Sequence, residues 1–201
     1  MKHPSRGLIG RDRELSEADE ALDAAAFGMP QVLPVGGDAG IGKTSLVAAI
    51  TDRARDLGFA VLVGHCLDID DGVALRPVTR RLAPYLRGES DKATVDDLCL
   101  VVGELVEAGP LMLVLEDLHW ADRSSVDVAT ALARAGRGQL CVVLTYRADE
   151  VTRRHAFYGA LAEIGRSPGA RRIDLAALDF EGIAVMAVSR GTWAVPSRHS
   201  T

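Results

Sequence analysis

Gly37-Asp38-Ala39-Gly40-Ile41-Gly42-Lys43-Thr44 has the spacing G-x-x-x-x-G-K-T of a phosphate-binding loop. No other stretch limits the fold as strongly, because such a loop works only between a strand and a helix. Gly37, Gly40 and Gly42 let the backbone turn sharply and bring its N–H groups close to a polyphosphate. A helix opening at the loop's end points its unpaired N–H groups and positive dipole end at the same anion. The flanks agree with this. Gln31-Val32-Leu33-Pro34-Val35 reads as a buried strand, and Ser45-Leu46-Val47-Ala48-Ala49-Ile50 reads as a helix. The backbone of residues 37–45, Asp38, Ala39, Ile41 and Ser45 included, is the expected phosphate cradle. Lys43 supplies a point charge, and the Thr44 hydroxyl is a Mg²⁺ ligand.

At 201 residues the chain makes one ordinary domain, with 48% hydrophobic and 25% charged residues. The net charge is −5, and the 23 Lys and Arg form no basic block, which argues against a nucleic-acid grip in these residues alone. No signal peptide and no apolar run of transmembrane length is present. Cys66, Cys99 and Cys141 lie far apart in apolar elements and read as reduced thiols of a cytoplasmic protein.

Strand and helix patterns alternate. A helix follows Asp12, its expected N-cap, with Leu15, Ala18 and Leu22 at helical spacing, and Gly28 and Pro30 end it. A helix over 43–57 buries Leu46, Val47, Ile50, Ala54 and Leu57. Phe59-Ala60-Val61-Leu62-Val63 is continuously apolar, which predicts a strand covered on both faces. The loop with Asp68, Asp70 and Asp71 lacks calcium-loop spacing. Pro77 starts a helix to about Leu86. Thr94 with Asp97 caps another, whose stripe is Leu98, Val101, Val102 and Leu105. Leu111 to Leu115 and Leu140 to Tyr146 are strands, with a helix capped by Asp122 or Ser124 between them. A helix near 153–164, a short strand at Arg172 to Leu175 and a helix from Phe180 to Val188 complete the pattern. This order predicts an α/β domain with a parallel sheet, whose ligands collect at the C-terminal strand ends.

Glu116-Asp117 stands at such an end, directly after four or five apolar residues. One carboxylate of such a pair holds Mg²⁺ and the other polarises the attacking water. By position, Glu116 faces the metal and Asp117 the water. Arg147 ends the next strand and either senses a γ-phosphate or is a surface arginine. Trp120 packs the loop after the carboxylates, and His119 is an oriented structural histidine. Gly10-Arg11 either touches a nucleobase edge or caps the first helix.

These stretches resemble a known family. Leu8-Ile9-Gly10-Arg11-Asp12-Arg13-Glu14-Leu15 is similar to the box that opens many AAA-like and STAND-class ATPase domains. Leu113 to Asp122, L-V-L-E-D-L-H-W-A-D, resembles the carboxylate motif of the ATPase in large LuxR-type transcriptional regulators. Thr145-Tyr146-Arg147 matches their sensor position, and 173–178 resembles their closing strand. The resemblance implies a three-layer α/β/α P-loop domain with a mostly parallel five-stranded sheet in the order 5-1-4-3-2. It implies ATP or ADP with Mg²⁺ as cofactors, self-association through the ATPase domain, slow hydrolysis, and a role in a signal-responsive regulator. The expected organisation is an N-terminal box and helix at 1–30, a core at 31–188 and an unstructured tail at 189–201. No lid, sensor region or helix-turn-helix pattern follows, so the chain reads as one that ends early and binds no DNA or membrane by itself. Three other readings stay open: a small-molecule P-loop kinase, a DNA-loading initiator-like ATPase, and an inactive relic.

Overall fold

The computed structural model describes residues 8–66, 78–79, 82–86 and 92–178. Ten regular elements carry the architecture: α1 (Asp12–Ala26), β1 (Gln31–Gly37), α2 (Lys43–Asp56), β2 (Ala60–His65), α3 (Val95–Ala108), β3 (Leu111–Glu116), α4 (Arg123–Ala135), β4 (Leu140–Arg147), α5 (Ala156–Ile164) and β5 (Ile173–Asp174). All five strands pair in parallel, in the order β2-β3-β4-β1-β5. This is the order that the family resemblance implied, written from the other edge.

The apolar runs explain the layers. Successive side chains of a strand point to opposite faces, so an unbroken apolar run feeds two cores. Leu113, Leu115, Val142 and Leu144 join Leu98 and Val102 of α3, Val126 and Leu132 of α4, and Phe157 and Ile164 of α5. Leu33, Val35, Met112, Val114, Cys141 and Val143 face the other way, onto Ala18 and Leu22 of α1 and Leu46 and Ile50 of α2.

Helix ends follow local chemistry. Thr94 and Asp97 form a reciprocal capping box at α3, with Asp97 N–H donating to Thr94 Oγ1 at 3.2 Å and Thr94 N–H to Asp97 Oδ2 at 2.9 Å. Asp122 caps α4 by accepting from Ser125 N–H at 2.8 Å. At α1 the expectation fails. Asp12 is the first helical residue and Arg11 is the N-cap, with no side-chain cap bond. An acidic residue there serves the helix dipole instead.

β2 also departs from the expected strand buried on both sides. It begins at Ala60, Val61 to Val63 are only half-buried, and Ala60 and His65 are exposed. The cause is its place at the sheet edge, where only β3 adjoins it. The Asp68-to-Asp71 loop, the helix from Phe180 and the tail lie outside the described residues, as does most of the segment after Pro77. Cys66 and Cys141 are buried free thiols and Cys99 is half-buried. Burial pushes the Cys66 and Cys141 thiols up to about 12. Among the described residues, no helix is long and apolar enough to cross a membrane.

Pro34 lies within β1 although that strand has neighbours on both sides. The even-numbered positions of β1 face β5, since Val32 N–H donates to Gly169 O and Gly36 O accepts from Leu175 N–H. The missing proline donor therefore falls beside the shortest strand, where the ladder is sparse. Gly36 meets a different demand. A Cβ there would stand 2.5 Å from the Tyr146 hydroxyl oxygen and 2.6 Å from its ring carbon Cζ. Tyr146 is buried edge-on against Phe157, ring centroids 5.5 Å apart, so a retreat of its ring would have to repack the core. Gly36→Ala should cost about 1–3 kcal/mol of stability, the usual cost of overpacking. Denaturant midpoints of the two proteins would measure it, and a loss below about 0.5 kcal/mol would mean the ring swings aside.

Candidate functional site

The parallel register brings the C-terminal strand ends to one edge of the sheet. Gly37 pairs with Arg147, and His65 pairs with Glu116. The phosphate loop, the carboxylates and the arginine picked out in the sequence therefore share one rim.

The loop carries backbone angles that favour glycine, with φ +73° at Gly40 and +102° at Gly42. Asp38, Ala39 and Gly40 are exposed, while Ile41 and Gly42 are half-buried. Gly42 is the N-cap of α2, and no side chain caps this end. Lys43, Thr44 and Ser45 open the helix, so their N–H groups have no carbonyl one turn back to bond. These uncapped donors, with the exposed Thr44 and Ser45 side chains, suit a polyanion. The Lys43 ammonium donates to the Gly37 carbonyl at 2.7 Å and the Asp38 carbonyl at 2.8 Å. Its proton affinity is lowered first by burial, while Asp117 raises it, Arg147 lowers it, and Asp149 and Asp38 raise it. Lys43 thus sits in the field of both Asp117 and Arg147.

Glu116 is buried and the exposed His65 stands beside it, with His65 Nδ1 2.7 Å from Glu116 Oε2. Burial raises the Glu116 pKa, His65 pulls it down and Asp117 pushes it up. One Glu116 oxygen is therefore engaged and the carboxylate has one oxygen left for a cation. Among the described residues no three His, Cys, Asp or Glu side chains converge to hold a metal by themselves. A divalent cation here would have to draw on phosphate oxygens and water.

Asp117 takes φ 61°, ψ 44°, and is the one non-glycine residue with positive φ among those described. Its N–H donates to Thr145 Oγ1 at 3.0 Å, which ties the carboxylate loop to β4. A left-handed non-glycine residue costs about 1–3 kcal/mol and marks a position held by its surroundings. The next turn, Leu118 to Trp120, buries Leu118 and His119. Trp120 packs this loop as expected, 4.6 Å from the His119 ring, and the Arg147 guanidinium lies 5.2 Å over its face. Arg147 Nη1 donates to Glu150 Oε1 at 2.5 Å.

Arg11 caps nothing with its side chain. Buried, it donates to the Ile41 carbonyl at 3.1 Å and the Ala176 carbonyl at 2.7 Å, and pairs with Glu14 at 3.0 Å. It braces the phosphate loop against the segment after β5. Gly10 beside it is exposed, with φ +68°.

His65 and Glu150 did not stand out in the sequence. His65 could have been found by noting that the second strand of a parallel sheet ends level with the third. Glu150 lies three residues past Arg147 and offered only the spacing of a local ion pair.

Comparison with known proteins bears on the family and the fold. A family model described as an AAA ATPase domain matches residues 7–143. The chain is 25% identical to an uncharacterised protein of Rhizobium meliloti (strain 1021), over 63% of this chain and 17% of that protein. Among solved structures, it resembles Cdc6p from Pyrobaculum aerophilum with a TM-score of 0.71 and 15% identity, over 97% of this chain and 54% of the other. It resembles AMPPCP-bound DnaA from Aquifex aeolicus with a TM-score of 0.53 and 15% identity, over 94% of this chain and 53% of that one. For C. elegans PCH-2 the values are 0.52 and 10%, over 95% and 51%. At such identities the likeness concerns the fold. The chain spans about a sixth of the length of the curated relative and about half of the solved ones.

Proposed function

This chain belongs to the AAA ATPase domain family, and from that premise we propose that it is a Mg·ATP-binding, slowly hydrolysing module of a STAND/LuxR-type signal-responsive regulator. One observation carries the nucleotide part: the uncapped start of α2, the Glu116–Asp117 pair and Arg147 stand along one sheet rim. The L-V-L-E-D-L-H-W-A-D string and the Gly10–Arg11 box support the regulator part.

In this reading the backbone of residues 37–45 cradles the phosphates, and Lys43 exchanges its two carbonyl partners for β- and γ-oxygens. Thr44 and the free oxygen of Glu116 hold Mg²⁺, and Gly10 with the Arg11 backbone borders the base. Asp117 orients the attacking water, and Arg147 spreads the γ-phosphate charge. Bound Mg²⁺ would neutralise charge on the phosphate oxygens.

Calorimetric titration with ATP, with and without Mg²⁺, tests binding. Phosphate release with and without candidate acceptors separates hydrolysis from a kinase. Salt-dependent DNA binding would favour the DNA-loading reading. Glu116→Gln should remove most of the Mg²⁺ dependence of ATP affinity and leave Mg²⁺-free binding within about threefold, an energy difference below 1 kcal/mol. Unchanged Mg²⁺ dependence would take Glu116 out of the metal site.

A further inference from the structure

His119 is 5% exposed as a residue and fully covered in its side chain. Both ring nitrogens are buried without a hydrogen-bond partner. Buried polar atoms in this condition are rare and call for a reason. The ring stands between two carboxylates: Nδ1 is 4.0 Å from Asp117 Oδ1, and Nε2 is 3.7 Å from Glu150 Oε2. Glu150 is shared, because its other oxygen, Oε1, accepts from Arg147. Arg147 also lies over the face of Trp120, and Trp120 packs on the His119 ring.

Burial lowers the proton affinity of His119, Glu150 and Asp117 raise it, and Arg147 and Lys43 lower it. The net direction is toward the neutral ring. A neutral imidazole has one N–H and one lone pair. It can therefore serve one flanking carboxylate at a time, and the carboxylate with the weaker cationic partner attracts the N–H more strongly. Glu150 is paired directly with Arg147, whereas Lys43 and Arg147 act on Asp117 only through longer-range charge, so that carboxylate is Asp117.

We propose that His119 is a positioning residue that couples Arg147 to Asp117: its N–H serves Asp117 while Arg147 holds Glu150, and serves Glu150 once Arg147 leaves. The proposal rests on the roles given above to Asp117 and Arg147. An Arg147 that turns to a γ-phosphate strips Glu150 of its partner. The departing Arg147 also leaves the face of Trp120 and opens the covered ring to a water molecule, which takes the Nδ1 proton and returns one to Nε2, so the ring changes tautomer without changing charge. Asp117, no longer faced by the imidazole N–H, is free to accept from the attacking water. Nucleotide sensing by Arg147 would thereby release the hydrolytic carboxylate.

The test needs no nucleotide at first. Nitrogen NMR of ¹⁵N-histidine-labelled protein distinguishes a protonated ring nitrogen from a bare one, and the signals absent from His119→Asn assign the residue. Arg147 and Glu150 are partly exposed, so substitutions there spare the core. The parent should show Nδ1–H, Glu150→Gln should keep it, and Arg147→Gln should move the population to Nε2–H. The same tautomer in parent and Arg147→Gln, or a doubly protonated ring in the parent at neutral pH, would overturn the proposal.

Turnover supplies a second readout. An Asn amide can place an N–H at the Nδ1 position and keeps it facing Asp117, whereas a Gln amide reaches toward Glu150. His119→Asn should slow hydrolysis by roughly tenfold, the equivalent of one hydrogen bond, with His119→Gln within about threefold of the parent and ATP affinity equal in all three. Equal losses in both variants would reduce His119 to packing. If the parent binds ATP without turning it over, the hydrolytic reading of the site fails, and the tautomer comparison alone decides the coupling.

Discussion

Lys43→Ala should lower the affinity for Mg·ATP by roughly tenfold to a hundredfold while the fold survives. A hydrogen bond to a charged group is worth about 1.5–3 kcal/mol, and each 1.4 kcal/mol is tenfold in Kd. The lower end is favoured, because the ammonium is not idle beforehand. It already bonds the Gly37 and Asp38 carbonyls, so binding exchanges partners and gains only the difference. The fold does not depend on this side chain. α2 is held by Leu46, Val47, Ile50 and Ala54, buried in the core further along the helix. Calorimetry on both proteins gives the affinity ratio, and melting curves check the fold. Equal affinities would remove the phosphate loop from the proposed site.

Asp117→Asn should slow ATP hydrolysis by about a hundredfold or more, the range of a positioned proton acceptor, and change ATP affinity by no more than about threefold. A carboxamide keeps the shape of the side chain and loses the charge. The Asp117 N–H bond to Thr145 belongs to the backbone and survives the change, so the strained turn should persist. Loss of rate without loss of binding is the signature of an interaction made in the transition state. Should Asp117→Asn leave turnover intact while Glu116→Gln abolishes it, the two carboxylates have exchanged roles. A parent protein that binds ATP and shows no turnover would favour a binding-only switch.

Much of the site was legible along the chain because each part is local. The phosphate loop needs eight consecutive residues of set chemistry, and the carboxylate pair needs only an apolar run before it. Thr94 and Asp97 announced the start of α3 for the same reason, since a capping box spans one helical turn. Failures came where a local signal had two meanings. Asp12 fitted an N-cap and also a first-turn acid, and the chain used it as the second. The run Phe59 to Val63 fitted a strand covered on both faces, but β2 lies at the edge. An apolar run reports that a strand is buried on average. It does not report how many neighbours the strand has.

By itself, the sequence determined the alternation of strands and helices, the split of each apolar run between two cores, and the presence of an anion cradle followed by a carboxylate pair. These depend on spacings of one to eight residues, which the periods of strand and helix translate directly into direction. The tertiary structure decided the rest. It levelled His65 with Glu116, 51 positions apart, through the parallel register of β2 and β3. It turned Arg11 into a brace between Ile41 and Ala176, and placed a buried His119 between Asp117 and Glu150. Such pairings depend on which strand ends are level and which loops fold over them. That is set by the packing of the whole sheet, because only a closed core brings distant residues within hydrogen-bond reach and excludes the water that would otherwise satisfy them.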